Sequence, residues 1–145
     1  MSNTDSGKFD PMKEQSSNSR LNESGHDDTH HQHATGKEGR TARIRELNDQ
    51  LRTQGRGGMI VMTNGVAALG LAAVNAIFKA IAAFSTFTAD NDPWAEHDCG
   101  VLEADGHRLI WKIDYYDRSR TCHSPDPADL KVTVRVLTVM LAEEY

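Results

Sequence analysis

Val101-Leu-Glu-Ala-Asp-Gly-His-Arg-Leu-Ile110 decides the fold. Asp105-Gly106 stands between two apolar stretches, and a two-residue type I′ turn selects Asp-Gly because both central residues need positive φ. The turn sets a register in which Ala104 faces His107, Glu103 faces Arg108, Leu102 faces Leu109 and Val101 faces Ile110. Further out, Gly100 faces Trp111, Cys99 faces Lys112, Asp98 faces Ile113 and His97 faces Asp114. Side chains alternate between faces, so the register sorts them. Leu102, Leu109, Trp111, Ile113 and Tyr115 form the expected core face, with Gly100 leaving space for the indole. The other face collects Glu103, Arg108, Val101, Ile110, Cys99, Lys112, His97, Asp114 and Tyr116. It is half apolar and half charged, which suits a partner better than bare solvent. Asp98 is the exception, a carboxylate at the end of the core face.

Downstream, Arg118 to Asp129 reads as a loop containing Ser124-Pro-Asp-Pro127. Residues 131–141 carry two signals. Leu130, Val134, Leu137 and Leu141 would share a helix face behind an Asp126-Pro127 start, but Val132, Thr133, Val134, Val136, Thr138 and Val139 are β-branched. The strand reading is favoured.

Upstream, Ser85 to Trp94 reads as a loop with Asp90-Asn-Asp-Pro93. It is no calcium loop, because alanine stands where that loop needs glycine and valine where it needs the final glutamate. The apolar stretch from Val66 to Phe84 is interrupted by Asn75 and Lys79, and its alanines lower its hydrophobicity. It is expected as a buried helix rather than a membrane span, with Val66, Leu69, Ala73, Val74, Ile77, Ile81 and Phe84 facing the core. Met59-Ile-Val-Met62 is expected as a buried strand, joined to that helix by Thr63-Asn-Gly65. The strand–glycine–helix outline lacks the Walker spacing, its lysine and the dinucleotide-binding glycines, so no cofactor is expected. Before it, Ile44, Leu47 and Leu51 mark an amphipathic helix from a Thr41 N-cap to Gly55. Arg40, Arg43, Arg45, Arg52 and Arg56 lend that helix a basic face, an alternative surface for nucleic acid but more often a solvated one.

Residues 1–37 are polar, and Phe9, Met12 and Leu21 follow no period. Such a tail buries too little apolar area to offset its ordering entropy and is expected to be disordered. Its histidines, His26, His30, His31 and His33, are expected to be solvated rather than metal-bound. Residues 38–145 form one α+β domain: two helices packed on a small, mostly antiparallel sheet, in the order α-β-α-β-β-β. In a chain of 145 residues, a net charge of −5 selects no partner class. Two cysteines make no disulfide framework, and no secretory signal opens the chain, so a cytoplasmic protein is expected.

Met62-Thr-Asn-Gly-Val-Ala-Ala-Leu-Gly70, Asn91-Asp-Pro-Trp-Ala-Glu-His-Asp98, Trp111-Lys-Ile-Asp-Tyr-Tyr-Asp117, Ser124-Pro-Asp-Pro127 and Arg135-Val-Leu-Thr138 resemble, in that order, the family catalogued as domain of unknown function 3768. The resemblance runs from about Ile44 to Tyr145. It implies a bacterial protein, often encoded on plasmids and other mobile elements, with no established activity. The family more often carries phenylalanine where this chain has Cys99. That departure argues against chemistry at Cys99 and for an apolar group on the second hairpin face.

Three chemistries compete with plain binding. His97, Asp98, Asp114 and Asp117, with Glu96, offer metal-ligand types for a hydrolase or nuclease, but the register points His97 and Asp114 one way and Asp98 the other. A structural His97–Asp114 hydrogen bond is the plainer expectation. Zinc between His97, Cys99, Cys122 and His123 would need adjacent ligands on one tetrahedral ion. Ser124 beside His123 lies in a proline-flanked turn, which fits no catalytic triad. The aromatics could stack on bases, but the surrounding acids repel phosphate. The expected function is a non-enzymatic accessory factor of a mobile element, engaging a basic patch on a protein partner. Its surface would comprise Asp92, Trp94, Glu96, His97, Asp98, Asp114, Tyr116 and Asp117.

Overall fold

The computed structural model describes residues 28–145, with side chains from Gly36 onward. Of the expected disordered tail, residues 1–27 with His26 lie outside the described residues, and for His30, His31 and His33 only the backbone is described. Contacts divide the chain at Thr35, and all side-chain geometry below belongs to the unit Gly36–Tyr145.

Helix α1 spans Asp28–Gln54. It thus begins well before Thr41, the expected N-cap, which lies inside it. No proline interrupts residues 28–54, and Gly36 and Gly39 weaken a helix without breaking it. Its buried stripe starts only at Ile44 and runs through Leu47, Asn48, Leu51 and Arg52, the spacing of one helical face. The helix ends at Gly55, whose φ of 68° only glycine adopts freely and whose N–H bonds the Leu51 carbonyl at 2.9 Å.

Strand β1 is Met59–Met62. Thr63 then caps the short helix α2, Asn64–Ala67, and Gly70 at φ 94° precedes helix α3, Leu71–Ala83. The single helix expected over 66–84 is therefore two, because Gly70 takes a backbone conformation that no continuing helix accommodates. The expected apolar face survives the break. Val66, Ala73, Ile77 and Ile81 are buried, and Leu69, Val74 and Phe84 pack against the core. No described helix is long and apolar enough to cross a membrane.

Strands β2 (Cys99–Ala104), β3 (His107–Tyr116) and β4 (Val134–Leu141) complete a four-stranded sheet in the order β1-β4-β3-β2. Asp105 and Gly106 both have positive φ, as the type I′ turn requires, and all six expected pairs from Cys99–Lys112 to Ala104–His107 form. The final segment is a strand, antiparallel to β3 and parallel to β1. The architecture is α+β with a mostly antiparallel sheet, and the element order is the expected one apart from the divided helix and a 3-10 turn, Ala142–Glu144, after β4.

Leu51, Val66, Ile77 and Ile81 from the three helices pack on Leu109, Trp111, Ile113, Leu137 and Val139, all on one face of the sheet. An ideal Cβ at Gly100 would lie 2.7 Å from Trp111 Nε1, so the glycine makes room for the indole. The opposite face carries Val101, Ile110, Lys112, Asp114, Tyr116, Val136, Thr138 and Met140, away from the core residues of α1, α2 and α3. β1 corrects one expectation. Expected to be buried, it has four side chains 38–41% exposed because the topology places it at the sheet edge.

Candidate functional site

The loop between α3 and β2 carries most of the residues singled out from the sequence. Phe84 and Phe87 anchor its start, each edge-on to Trp111 with centroids 5.7 and 6.3 Å away. Asn91 closes the next turn, accepting from the Thr88 N–H at 2.8 Å and donating to the Thr86 carbonyl at 2.7 Å. Asp92 is buried, and its Oδ1 accepts from the N–H groups of Glu96 at 3.0 Å and His97 at 3.2 Å. These bonds hold Ala95 and His97 at φ 54° and 55°, values that L side chains rarely adopt. Trp94 stands at the loop tip, 70% exposed.

His97 turns away from the sheet. Its ring stacks on Phe87 at 3.7 Å, nearly parallel, and its Nδ1 lies 3.0 Å from Asp49 on α1. Asp49 also accepts from Arg52, whose Nη1 donates to the carbonyls of Ile81, Ala82 and Phe84 at the end of α3. A cation there complements the partial negative charge of a helix C-terminus. Together, α1, α3 and the loop are tied by one chain of polar contacts.

A second network lies beside it. The Tyr115 hydroxyl accepts from Asn48 at 2.7 Å and donates to Glu96 at 3.0 Å, while Asn48 also donates to the Glu96 carbonyl. Arg135, fully buried, donates from Nε to Asn48 Oδ1 at 3.0 Å and from Nη2 to the Pro127 carbonyl, with its guanidinium over the Tyr115 ring. Burial pushes the Glu96 carboxyl up, against the lowering effect of the Tyr115 hydrogen bond. Burial likewise raises the Tyr115 hydroxyl and lowers the Arg135 guanidinium. Asp98 is also raised, chiefly by burial and then by the charges of Asp92 and Asp114.

The eight expected surface residues therefore divide by role. Asp92 caps the loop, Glu96 belongs to the Tyr115 network, and His97 joins Asp49. Asp117 caps the next turn, accepting from the N–H groups of Thr121 and Cys122 and from the Ser119 hydroxyl, with the Thr121 bond chief in holding its carboxyl low. Trp94 is exposed, and Asp98, Asp114 and Tyr116 are part-exposed. Asp114 and Tyr116 lie on the sheet face opposite the core, where Asp114 pairs with Lys112 at 2.7 Å and raises its pKa.

The expected cross-strand pair of His97 and Asp114 does not form. The strand continues as far as the Asp98 carbonyl, which accepts from the Ile113 N–H at 2.6 Å, and the left-handed turn at His97 then swings the imidazole to α1. The metal reading loses its natural pair, and among the described residues no three His, Cys, Asp or Glu side chains are placed to share an ion. Cys99 donates weakly to the Asn91 carbonyl, and Cys122 is exposed and free. Ser124 bonds Thr133 and the Asp126 N–H, as a turn residue does. On the basic face, Arg40 pairs with Asp126, Arg43 with Glu46, and Arg45 with the Ala95 carbonyl.

Asn48, Asp49 and Arg135 are not among the expected site residues, and Arg52, expected on the exposed basic face, is instead buried against the end of α3. Their signal was in the periodicity: Asn48 and Arg52 share the helix face of Ile44 and Leu51, and Arg135 alternates in phase with Leu137 and Val139. Polar groups at core-facing positions require partners, and these residues partner the loop.

Residues 62–144 match the family model described as Protein of unknown function (DUF3768). No curated protein and no solved structure matches the chain.

Proposed function

We propose, for a chain that belongs to the DUF3768 family, the role of a small non-enzymatic binding protein that engages a protein partner through Trp94 and the adjoining hairpin face. The observation that carries this reading is Trp94, largely exposed on a loop pinned by Asn91, Asp92 and His97. An exposed indole on a pre-ordered backbone loses little entropy on binding, and such aromatics anchor most interface hot spots. Asp98, Asp114 and Tyr116 would add to the binding surface, and the two carboxylates favour a partner with a basic patch. A role as accessory factor of a bacterial mobile element belongs to the same proposal. Its support is the order of motifs shared with the family, and gene neighbourhoods rich in plasmid or phage functions would bear on it.

The test uses immobilised full-length chain with two single substitutions, Trp94→Ala and Asp114→Lys. Partners captured by the wild type should fall at least tenfold in both variants, with melting temperatures unchanged. Equal recovery of the same proteins by wild type and Trp94→Ala would overturn the proposal.

A further inference from the structure

Asp92 is a buried carboxylate without a lysine or arginine beside it. Among the described residues, Asp49 has Arg52 within ion-pair distance and Asp114 has Lys112, but Asp92 has only the His97 imidazole, with Nε2 3.9 Å from its Oδ2. The N–H groups of Glu96 and His97 occupy Oδ1, and Oδ2 keeps one long bond, from the His97 N–H at 3.3 Å. A buried charge costs free energy unless a partner answers it. The imidazole is short of a partner on the same side. Its Nδ1 meets the Asp49 carboxylate, which only accepts, so in the neutral ring Nδ1 carries the proton and Nε2 offers a lone pair. Oδ2 and Nε2 are thus two neighbouring acceptors with no donor between them.

Both side chains line a recess of about 360 Å³ in the α3–β2 loop, at the small end of ligand sites. Phe87, Ala89, Pro93 and Ala95 supply apolar wall, and the last two flank the exposed Trp94 in the chain. We infer that the recess takes a lysine side chain of the protein partner, its ammonium bridging Asp92 Oδ2 and His97 Nε2. The inference rests on the binding role proposed above and adds the chemistry of the partner. A nitrogen ~2.8 Å from both acceptors would see them about 90° apart, near the spread of two N–H bonds on one ammonium. A guanidinium matches less well, because its parallel N–H pair suits the two oxygens of one carboxylate rather than acceptors 3.9 Å apart. The long apolar stem of lysine suits the apolar wall.

The test titrates Nα-acetyl-lysine methylamide into full-length chain at about pH 8, above the ordinary histidine range. Magnetic resonance should show saturable shifts at the His97 ring, the Trp94 indole and the Ala95 amide. The norleucine analogue, which keeps the stem and lacks the ammonium, should produce none. Ala89→Leu fills the recess from an exposed position, so it should abolish the lysine shifts and leave the melting temperature unchanged. No saturation with the lysine probe overturns the inference, as does an equal response to norleucine or persistence of the shifts in Ala89→Leu. Binding of free 1,5-diaminopentane tenfold tighter than the lysine probe would assign the recess to a small amine and overturn the lysine. The two readings fail separately. A lysine probe that does not bind, with partner capture still lost in Trp94→Ala, removes the recess and leaves the partner surface. A lysine probe that binds, with capture untouched by Trp94→Ala, removes the partner surface and leaves an ammonium site.

Discussion

His97 Nδ1 lies 3.0 Å from the Asp49 carboxylate, and the same carboxylate accepts from Arg52 at 2.8 Å. One side chain on α1 thus holds the Trp94 loop directly and, through Arg52, the end of α3.

Asp49→Ala removes both anchors at once. Loss of two charge-assisted hydrogen bonds at a half-buried site should lower the unfolding free energy by about 2 kcal/mol in urea titration. Amide exchange should accelerate at Ala95, Glu96 and His97 ahead of the sheet. Unchanged protection there would mean that the Asp92 cap holds the loop alone.

Gly100→Ala tests the contact with the indole. The new methyl would press on Trp111 within a close-packed core, and overpacking of this kind costs about 1–3 kcal/mol. A melting temperature equal to the wild type would show that the indole has room to retreat.

Arg135→Lys keeps a positive charge but loses the planar fork that reaches Asn48 and Pro127 together. Replacement should cost about 2–4 kcal/mol, because the ammonium is buried without those partners. Tyr115→Phe removes one hydroxyl from the same network and should cost less, about 1 kcal/mol. The reverse ranking would place the weight of the network on Tyr115.

Asp98 gives a pH signature. Its carboxyl is raised in the fold, so the folded chain holds this proton more tightly than the unfolded one. The stabilising effect of protonation is complete below the ordinary carboxylate range and is lost as pH rises through the raised value. Asp98→Asn should therefore melt higher than the wild type at neutral pH, with the gap closing under acid. A gap that persists unchanged at low pH would count against burial as the cause.

The hairpin register was legible because its determinants are local. A turn with two positive-φ residues and a strict alternation of faces leave one pairing, and Gly100 opposite Trp111 follows by counting. The strand over 134–141 was legible for a similar reason, since β-branched side chains outweighed a weak helical period.

The candidate site was less legible. Its side chains come from α1, the α3–β2 loop, β3 and β4, and its key events are backbone turns that composition does not mark. Ala95 and His97 adopt left-handed conformations as Asp92 captures the N–H groups of Glu96 and His97, and the distant Asp49 then draws the His97 imidazole to α1, away from Asp114. Burial of β1 was equally undetermined, since an apolar run reads the same at the centre of a sheet and at its edge. Sequence alone settled what neighbours along the chain dictate: turn type, register, facing and strand propensity. Tertiary structure decided which strand lies at the edge and where the His97 imidazole points. Both depend on packing against residues distant in the chain, which no local period encodes.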